Sequence, residues 1–279
     1  NAAAGTSTSL AIKQAYFTWK TSPKLSFTAG QFGTHIGYEV IDAPVNYNYS
    51  LSNLFNNGPF YHIGVKGQYT FSDKAYLMVG LVNNVDNIQD NNRAKGFISQ
   101  LFFSPVAGWN VYLNTLLSNE ANADSTGKTR GTNSFNLFDL TTTYQITDKF
   151  FLGLNAAYGS QRGDYQGTGF FPTAKTWGGV ALYTNYAISS KFGLGARYEV
   201  FDNTSGARFL SAGVDAEGNR IGTSVNSFTL TANITAADGH LLLKPEIRTD
   251  AYKTEQFVDS SGKGKKGQTT FGMAAIFKF

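Results

Sequence analysis

Read back from its end, the chain alternates. Phe271, Met273, Ala275, Phe277 and Phe279 fall on one side of an extended run, and Thr270, Gly272, Ala274, Ile276 and Lys278 fall on the other. A period of two is the pattern of a strand with one apolar face. The same alternation recurs along the whole sequence and predicts thirteen strands, over roughly 9–20, 24–33, 61–71, 75–84, 96–103, 109–118, 134–147, 150–160, 176–188, 192–202, 224–235, 240–252 and 268–279. Short connections near residues 21–24, 72–74, 104–108, 147–149, 189–191 and 236–239 carry the residues of tight turns. Long ones cover about 34–60, 85–95, 119–133, 161–175, 203–223 and 253–267. Short and long alternate strictly, so one rim of the sheet carries turns and the other carries loops. That is the polarity of an outer-membrane barrel, with turns in the periplasm and loops outside. A soluble sandwich obeys no such odd-even rule and must shield its edges. The expected fold is all-β, a transmembrane antiparallel up-and-down barrel forming one domain over residues 1–279.

Composition agrees. Charged residues make up 15% of the 279 residues and aromatics another 15%, with 30 glycines, 6 prolines and no cysteine. Soluble domains carry about 25% charged residues, so a large surface here must be something other than charged. No run nears the ~18–20 apolar residues of a membrane helix, and mean hydropathy is only -0.22, as expected where each strand alternates lipid-facing and lumen-facing residues. The absent cysteines fit an envelope protein that needs no disulfides. A net charge of +4 is too small to argue for nucleic acid, and the longest basic run, Lys263-Gly264-Lys265-Lys266, reads as a solvated loop tip.

Orientation adds an expectation. If the last strand runs down to the periplasm, the first also runs down and residue 1 lies at the outer rim. Bacterial barrels have an even strand count. Thirteen strands, a start at Asn1 and no export signal predict an absent N-terminal piece with one or three strands. With three the barrel has sixteen, and the 27-residue connection 34–60 becomes the third external loop.

Three segments carry a resemblance. They are Gly33-Thr34-His35-Ile36-Gly37-Tyr38-Glu39, Tyr47-Asn48-Tyr49-Ser50 with Gly58-Pro59-Phe60-Tyr61-His62-Ile63-Gly64, and Gly80-Leu81-Val82-Asn83-Asn84-Val85-Asp86-Asn87. They resemble the putative β-barrel porin-2 (OmpL-like) proteins, common in the Bacteroidetes group. The matching motifs cover about residues 25–105, and this chain has Asn84-Val85-Asp86 where that family tends to show Gly-Trp-Asp. The resemblance implies a barrel and, by analogy, a porin.

The chemistry lies on the inward faces. Strand 240–252 sets Lys244, Glu246, Arg248 and Asp250 opposite Leu241, Leu243, Pro245 and Ile247. A Lys or Arg at the bilayer midplane costs about 2–4 kcal/mol, so this row must face water or partners. Arg197 and Glu199, Lys66 and Gln68, and Asp139 repeat the pattern, and Lys278 joins them on the last strand. With at least thirteen strands the interior is too wide for side chains alone, which favours a wet channel over an internal salt-bridge ladder. Loop 34–60 is rich in Tyr38, Val40, Ile41, Tyr47, Tyr49, Leu51, Leu54 and Phe55, unlike a polar external loop. Folding it inward would bury them and set its charged residues, His35, Glu39 and Asp42, in the bore. Glu39 and Asp42 would then oppose Arg197, Lys244 and Arg248 as a constriction; a lid or partner interface is the alternative.

Other sites are weaker. Residues 86–92 offer oxygen ligands but lack the EF-hand glycine and glutamate, and His35, His62 and His240 show no zinc spacing. His62 with Ser50 or Ser52 has no nucleophile motif around it, so neither catalysis, a metal nor a cofactor is expected. Phe277 and the terminal Phe279 match, by resemblance to outer-membrane proteins generally, the signal read by the barrel-assembly machinery. The sequence thus predicts an outer-membrane porin of a Gram-negative bacterium passing small hydrophilic solutes. Its expected partners are outer-membrane lipid, that machinery, and a homo-oligomer or larger complex. The alternative is a structural or docking barrel in an outer-membrane assembly.

Overall fold

The structure is a computed structural model that describes residues 12–83, 85–88, 90, 92, 94–120, 134–164, 170–216, 218 and 220–279. Alternation produces strands wherever it is sustained. They are β1 (Ala15–Lys20), β2 (Leu25–Gly33), β3 (Tyr61–Ser72), β4 (Ala75–Val82), β5 (Gly96–Phe103), β6 (Trp109–Asn119), β7 (Ser134–Gln145), β8 (Phe150–Asp164), β9 (Phe170–Ala187), β10 (Phe192–Asp202), β11 (Ser211–Val214), β12 (Arg220–Gly222), β13 (Ser224–Ala236), β14 (Leu241–Tyr252), β15 (Phe257–Val258), β16 (Gly264–Lys265) and β17 (Gly267–Phe277). Thirteen of them form one sheet in the order β1 to β10, β13, β14, β17, each antiparallel to its neighbour. No described helix is long and apolar enough to cross a membrane.

Each of the thirteen expected strands has its counterpart, and the departures lie at the loop rim. The first strand begins at Ala15, and residues 9–11 of its expected range lie outside the described residues. β8 and β9 run on into the segment expected as loop 161–175, pairing as far as Asp164 with Phe170. Loops 203–223 and 253–267 contain the small hairpins β11–β12 and β15–β16, and loop 34–60 contains a short helix, α1 (Asn53–Asn57). A glycine shift in register or a two-residue pairing carries too little hydrophobic period to read from sequence.

The outer face is an apolar band. Val65, Leu81, Phe97, Phe138, Leu182, Tyr198, Phe228, Ile247 and Phe271 all stand exposed on it. Lipid accounts for such a surface; water does not. Beside the tight turns, outward aromatics pair as Trp19–Phe27, Tyr69–Phe71, Trp109–Tyr144 and Phe277–Phe279, with centroids 5.2 to 6.5 Å apart. Amphipathic rings at one level mark a membrane interface.

Loop 34–60 shows how strongly the sheet curves. His35 Nε2 donates to Thr115 O on β6 (3.1 Å), Gly37 N–H donates to Asp139 on β7 (3.2 Å), and Tyr49 N–H donates to Glu246 on β14 (2.7 Å). One 27-residue segment reaches the inner faces of β6 and β14 together only if the sheet wraps around it. Toward the loop rim it closes over an apolar cluster of Phe32, Ile36, Leu54, Ile98, Leu116, Phe135, Leu137, Trp177 and Phe201. Among the described residues no pairing joins β1 to β17, and all six residues of β1 are exposed.

Candidate functional site

The candidate site is the inner face with the loop crossing it. Irregular backbone inside a membrane-embedded sheet must find partners for its N–H and C=O groups. Here the wall supplies them from acids and bases that alternation turns inward. Glu199 accepts from Asn53 N–H (2.8 Å) and Leu54 N–H (2.7 Å), and also from the Asn53 side-chain amide (2.8 Å). Glu246 accepts from Tyr49 N–H (2.7 Å), Ser50 N–H (3.0 Å) and the Thr231 hydroxyl (2.6 Å). The bases serve the carbonyls. Arg197 donates to Ser50 O, Arg248 to Leu51 O and Lys244 to Asn46 O. Hydrogen bonds with one charged partner contribute about 1.5–3 kcal/mol each, so this row straps residues 46–54 to β10, β13 and β14.

Glu39 and Arg197 close the strap. Their side chains are 2% and 0% exposed, their nearest atoms lie 2.5 Å apart, and Glu39 also accepts from Ser52 N–H at 2.8 Å. Ser52 caps α1, its hydroxyl accepting from Phe55 N–H at 3.0 Å. Asp139 is likewise consumed. It is buried and accepts from Gly37 N–H, from the amides of Asn114 and Asn155, and from the Thr141 hydroxyl.

Against these placements the expected constriction changes character. The loop does enter the sheet, and Glu39 does meet Arg197, but as a buried ion pair in direct contact. Asp42 does not oppose Arg197, Lys244 or Arg248. It is exposed and pairs with Lys13, just ahead of β1. Arg248 pairs with Asp250 at 2.9 Å. Of the loop's apolar residues, Leu54 is buried, and Tyr38 packs at a tilt against Tyr183 (4.2 Å) while Tyr47 packs at a tilt against Phe151 (5.1 Å). Val40, Ile41 and Tyr49 stay exposed, because the backbone straps, rather than these side chains, set the loop's path. His35 bonds Thr115 O and packs 5.5 Å from His62, whose Nε2 meets Thr34 Oγ1 rather than Ser50 or Ser52.

Near the edges the inner face is different. Thr18 and Lys20 on β1 and Gln268, Thr270 and Gly272 on β17 are exposed, while Ser26, Thr28, Lys66 and Gln68 are half-buried. Lys66 lies over the Phe32 ring at 4.3 Å. Lys278 follows β17 and is exposed, its N–H donating to His240 O at 2.7 Å. Phe277 and Phe279 are exposed on the outward register. Beneath the loop, toward the turn rim, a cavity of about 300 Å³ opens between Tyr47, Asn185, Asn233 and Lys244.

Two carboxylates at the loop rim carry no strong sequence signal. Asp86 accepts from Phe60 N–H (2.7 Å) and Tyr61 N–H (3.1 Å), pinning the far end of loop 34–60. Glu120 accepts from Val85 N–H (3.2 Å) and the Ser118 hydroxyl. Burial pushes Asp86 up to about 6 and Glu120 up to about 7. Of the oxygen-rich run 86–92, Gln89 and Asn91 lie outside the described residues, and Asp90 pairs with Lys95. Arg208 was equally invisible, buried against Trp177 (5.4 Å) and Phe209 (4.8 Å).

The fold has solved relatives in form. The outer-membrane expressed OmpT of Vibrio cholerae superposes with a TM-score of 0.58 at 12% identity, over 95% of this chain and 80% of that one. The outer membrane channel DcaP of Acinetobacter baumannii gives 0.56 at 13% identity, over 90% and 71%. OccK1 (OpdK) of Pseudomonas aeruginosa gives 0.51 at 11% identity, over 94% and 68%. No curated protein sequence matches the chain. The family profile described as Putative beta-barrel porin-2, OmpL-like, matches residues 1–279, and the chain belongs to that family. It is a porin-like channel for passive diffusion in the outer membrane of a Gram-negative bacterium.

Proposed function

We propose, from its membership of this porin family, that the chain passes small hydrophilic solutes through a lane between the strapped loop 34–60 and the edge strands β1, β2 and β17. The observation that carries this reading is the contrast along the inner face: buried, partnered side chains on β7 to β13, and exposed Thr18, Lys20, Gln268 and Thr270 beside the edges. Loop 34–60 narrows the bore by filling one side of it, and no bond is made or broken in a solute, so the chain is not an enzyme. Protein reconstituted in a planar bilayer should give stepwise conductance.

A second reading, a docking barrel within a larger outer-membrane assembly, draws on the packed apolar cluster beneath the loop. It requires a silent bilayer.

Closure belongs to the same proposal. Tight turns join β1 to β2 and β13 to β14, so β1 and β17 run the same way, and an antiparallel closure needs an odd number of strands between them. Open edges do not persist in lipid. Three further strands would make sixteen. A Bacteroidetes origin, a homo-oligomer and delivery by the barrel-assembly machinery complete the reading. Deleting Phe279 should lower the folded amount in the outer membrane, and undiminished assembly would remove that role.

A further inference from the structure

The fixed charges of the inner face are divided unequally between buried and wet positions. Among the described residues its acids have partners. Glu39 is sealed against Arg197, Glu199 and Glu246 are capped by loop amides, Asp139 sits among four donors, and Asp250 is paired with Arg248. A carboxylate surrounded by N–H donors at 2.7–3.0 Å presents little field to a passing ion. The bases on the wet side are not matched. Among the described residues exposed Lys20 and Lys278 and half-buried Lys66 have no carboxylate partner, while Lys244 is buried and belongs to the strap, its ammonium donating to Asn46 O.

Height along the sheet orders these groups into a lane. Lys66 faces Thr28 midway along β3, while Lys20 and Lys278 sit at the turn ends of β1 and β17. At the opposite rim, loop 253–267 springs from β14 and β17 beside the same edge and carries the basic run that sequence alone leaves without a task. There Lys265 pairs with Asp259 at 3.3 Å, and among the described residues Lys263, Lys266 and Glu255 form no ion pair.

We infer that the lane between loop 34–60 and the edge strands is anion-selective, and that the solutes it favours are small hydrophilic anions. The inference rests on the porin reading. A row of unpaired positive charge beside low-dielectric walls raises the local anion concentration and repels cations, and salt weakens both effects.

The test uses the full chain in a planar bilayer under a tenfold KCl gradient. The reversal potential should report chloride permeating at least roughly threefold better than potassium, and this preference should shrink as salt rises. Combined Lys20→Gln, Lys66→Gln and Lys278→Gln should bring the ratio close to one with conductance retained. The corresponding Lys→Arg variants should keep the preference, and Lys149→Gln, in a turn away from the edges, should leave it unchanged. A cation-selective or neutral unaltered channel, or a triple Gln variant that conducts with its ratio unmoved, overturns the inference while leaving the porin reading intact. A silent bilayer overturns the porin reading itself and this inference with it.

Discussion

Thr229, Arg248 and Thr270 lie on one rung of the sheet, on β13, β14 and β17 in turn. Thr229 is wholly buried under the loop, and Thr270, two strands away, is exposed. All three face inward by the same alternation. The difference comes from what lies over them: on the β7 to β14 wall the loop takes up Asp139, Glu199 and Glu246 while Arg248 and Ser227 take up Asp250, and beside the edges nothing among the described residues does so. Inward-facing is therefore not the same as pore-lining. A charge on the strapped wall holds structure, and a charge near the edge acts on solutes.

The largest expected effect that sharpens this contrast is at the sealed pair. Arg197→Met leaves Glu39 buried without its partner, which costs about 3–5 kcal/mol. Urea unfolding in lipid vesicles should show that loss, and loop 34–60 should become sensitive to protease. Adding Glu39→Gln should recover much of it; a purely additive double variant would mean the two groups do not act as a pair.

Glu199→Gln comes next. Removing the charge that holds Asn53 N–H and Leu54 N–H should cost about 3 kcal/mol, from two charge-assisted bonds at about 1.5 kcal/mol each. The matching wet-side change, Gln268→Ala, should leave unfolding unaltered.

A third effect is pH dependence at the loop rim. Asp86 and Glu120 have folded-state values raised to about 6 and about 7, above their unfolded ones. The folded chain therefore holds more protons than the unfolded chain between about pH 4 and pH 7, and stability falls as pH rises through that window. Unfolding free energy should be greater at pH 5 than at pH 8 by roughly 3–4 kcal/mol. The combined Asp86→Asn and Glu120→Gln variant should flatten the difference, and an unchanged profile would place its origin elsewhere.

The smallest effect is at Asp42. Its pair with Lys13 is solvated on both sides, and such pairs contribute about 0–1 kcal/mol. Asp42→Asn should barely move the unfolding midpoint.

The strands were legible because alternation repeats thirteen times and the turn chemistry marks every second joint. The entry of loop 34–60 was also legible, since Leu54, Tyr38 and Tyr47 are out of place on an external loop. Its path was not. That path is set by single hydrogen bonds between wall carboxylates and loop amides, more than 140 residues apart in sequence for Glu199 and Glu246, and a backbone N–H has no sequence signature. The same limit explains Asp42. Only the folded chain shows that Lys13, upstream of β1, lies closer to it than the inward bases do. Glu120 and Arg208 escaped, and Asp86 was visible only as part of an oxygen-rich run, because they sit in loops, where no periodicity reports burial.

The measurement that tests the account most directly uses the absence of cysteine from the chain. Thr270→Cys and Thr229→Cys place a thiol at two positions of one rung, separated by Arg248. In a conducting bilayer, a charged, membrane-impermeant thiol reagent should rapidly reduce the current of Thr270→Cys and leave Thr229→Cys unaffected. Equal reaction at both positions, or reaction at residue 229 alone, would contradict a lane running beside the edge strands.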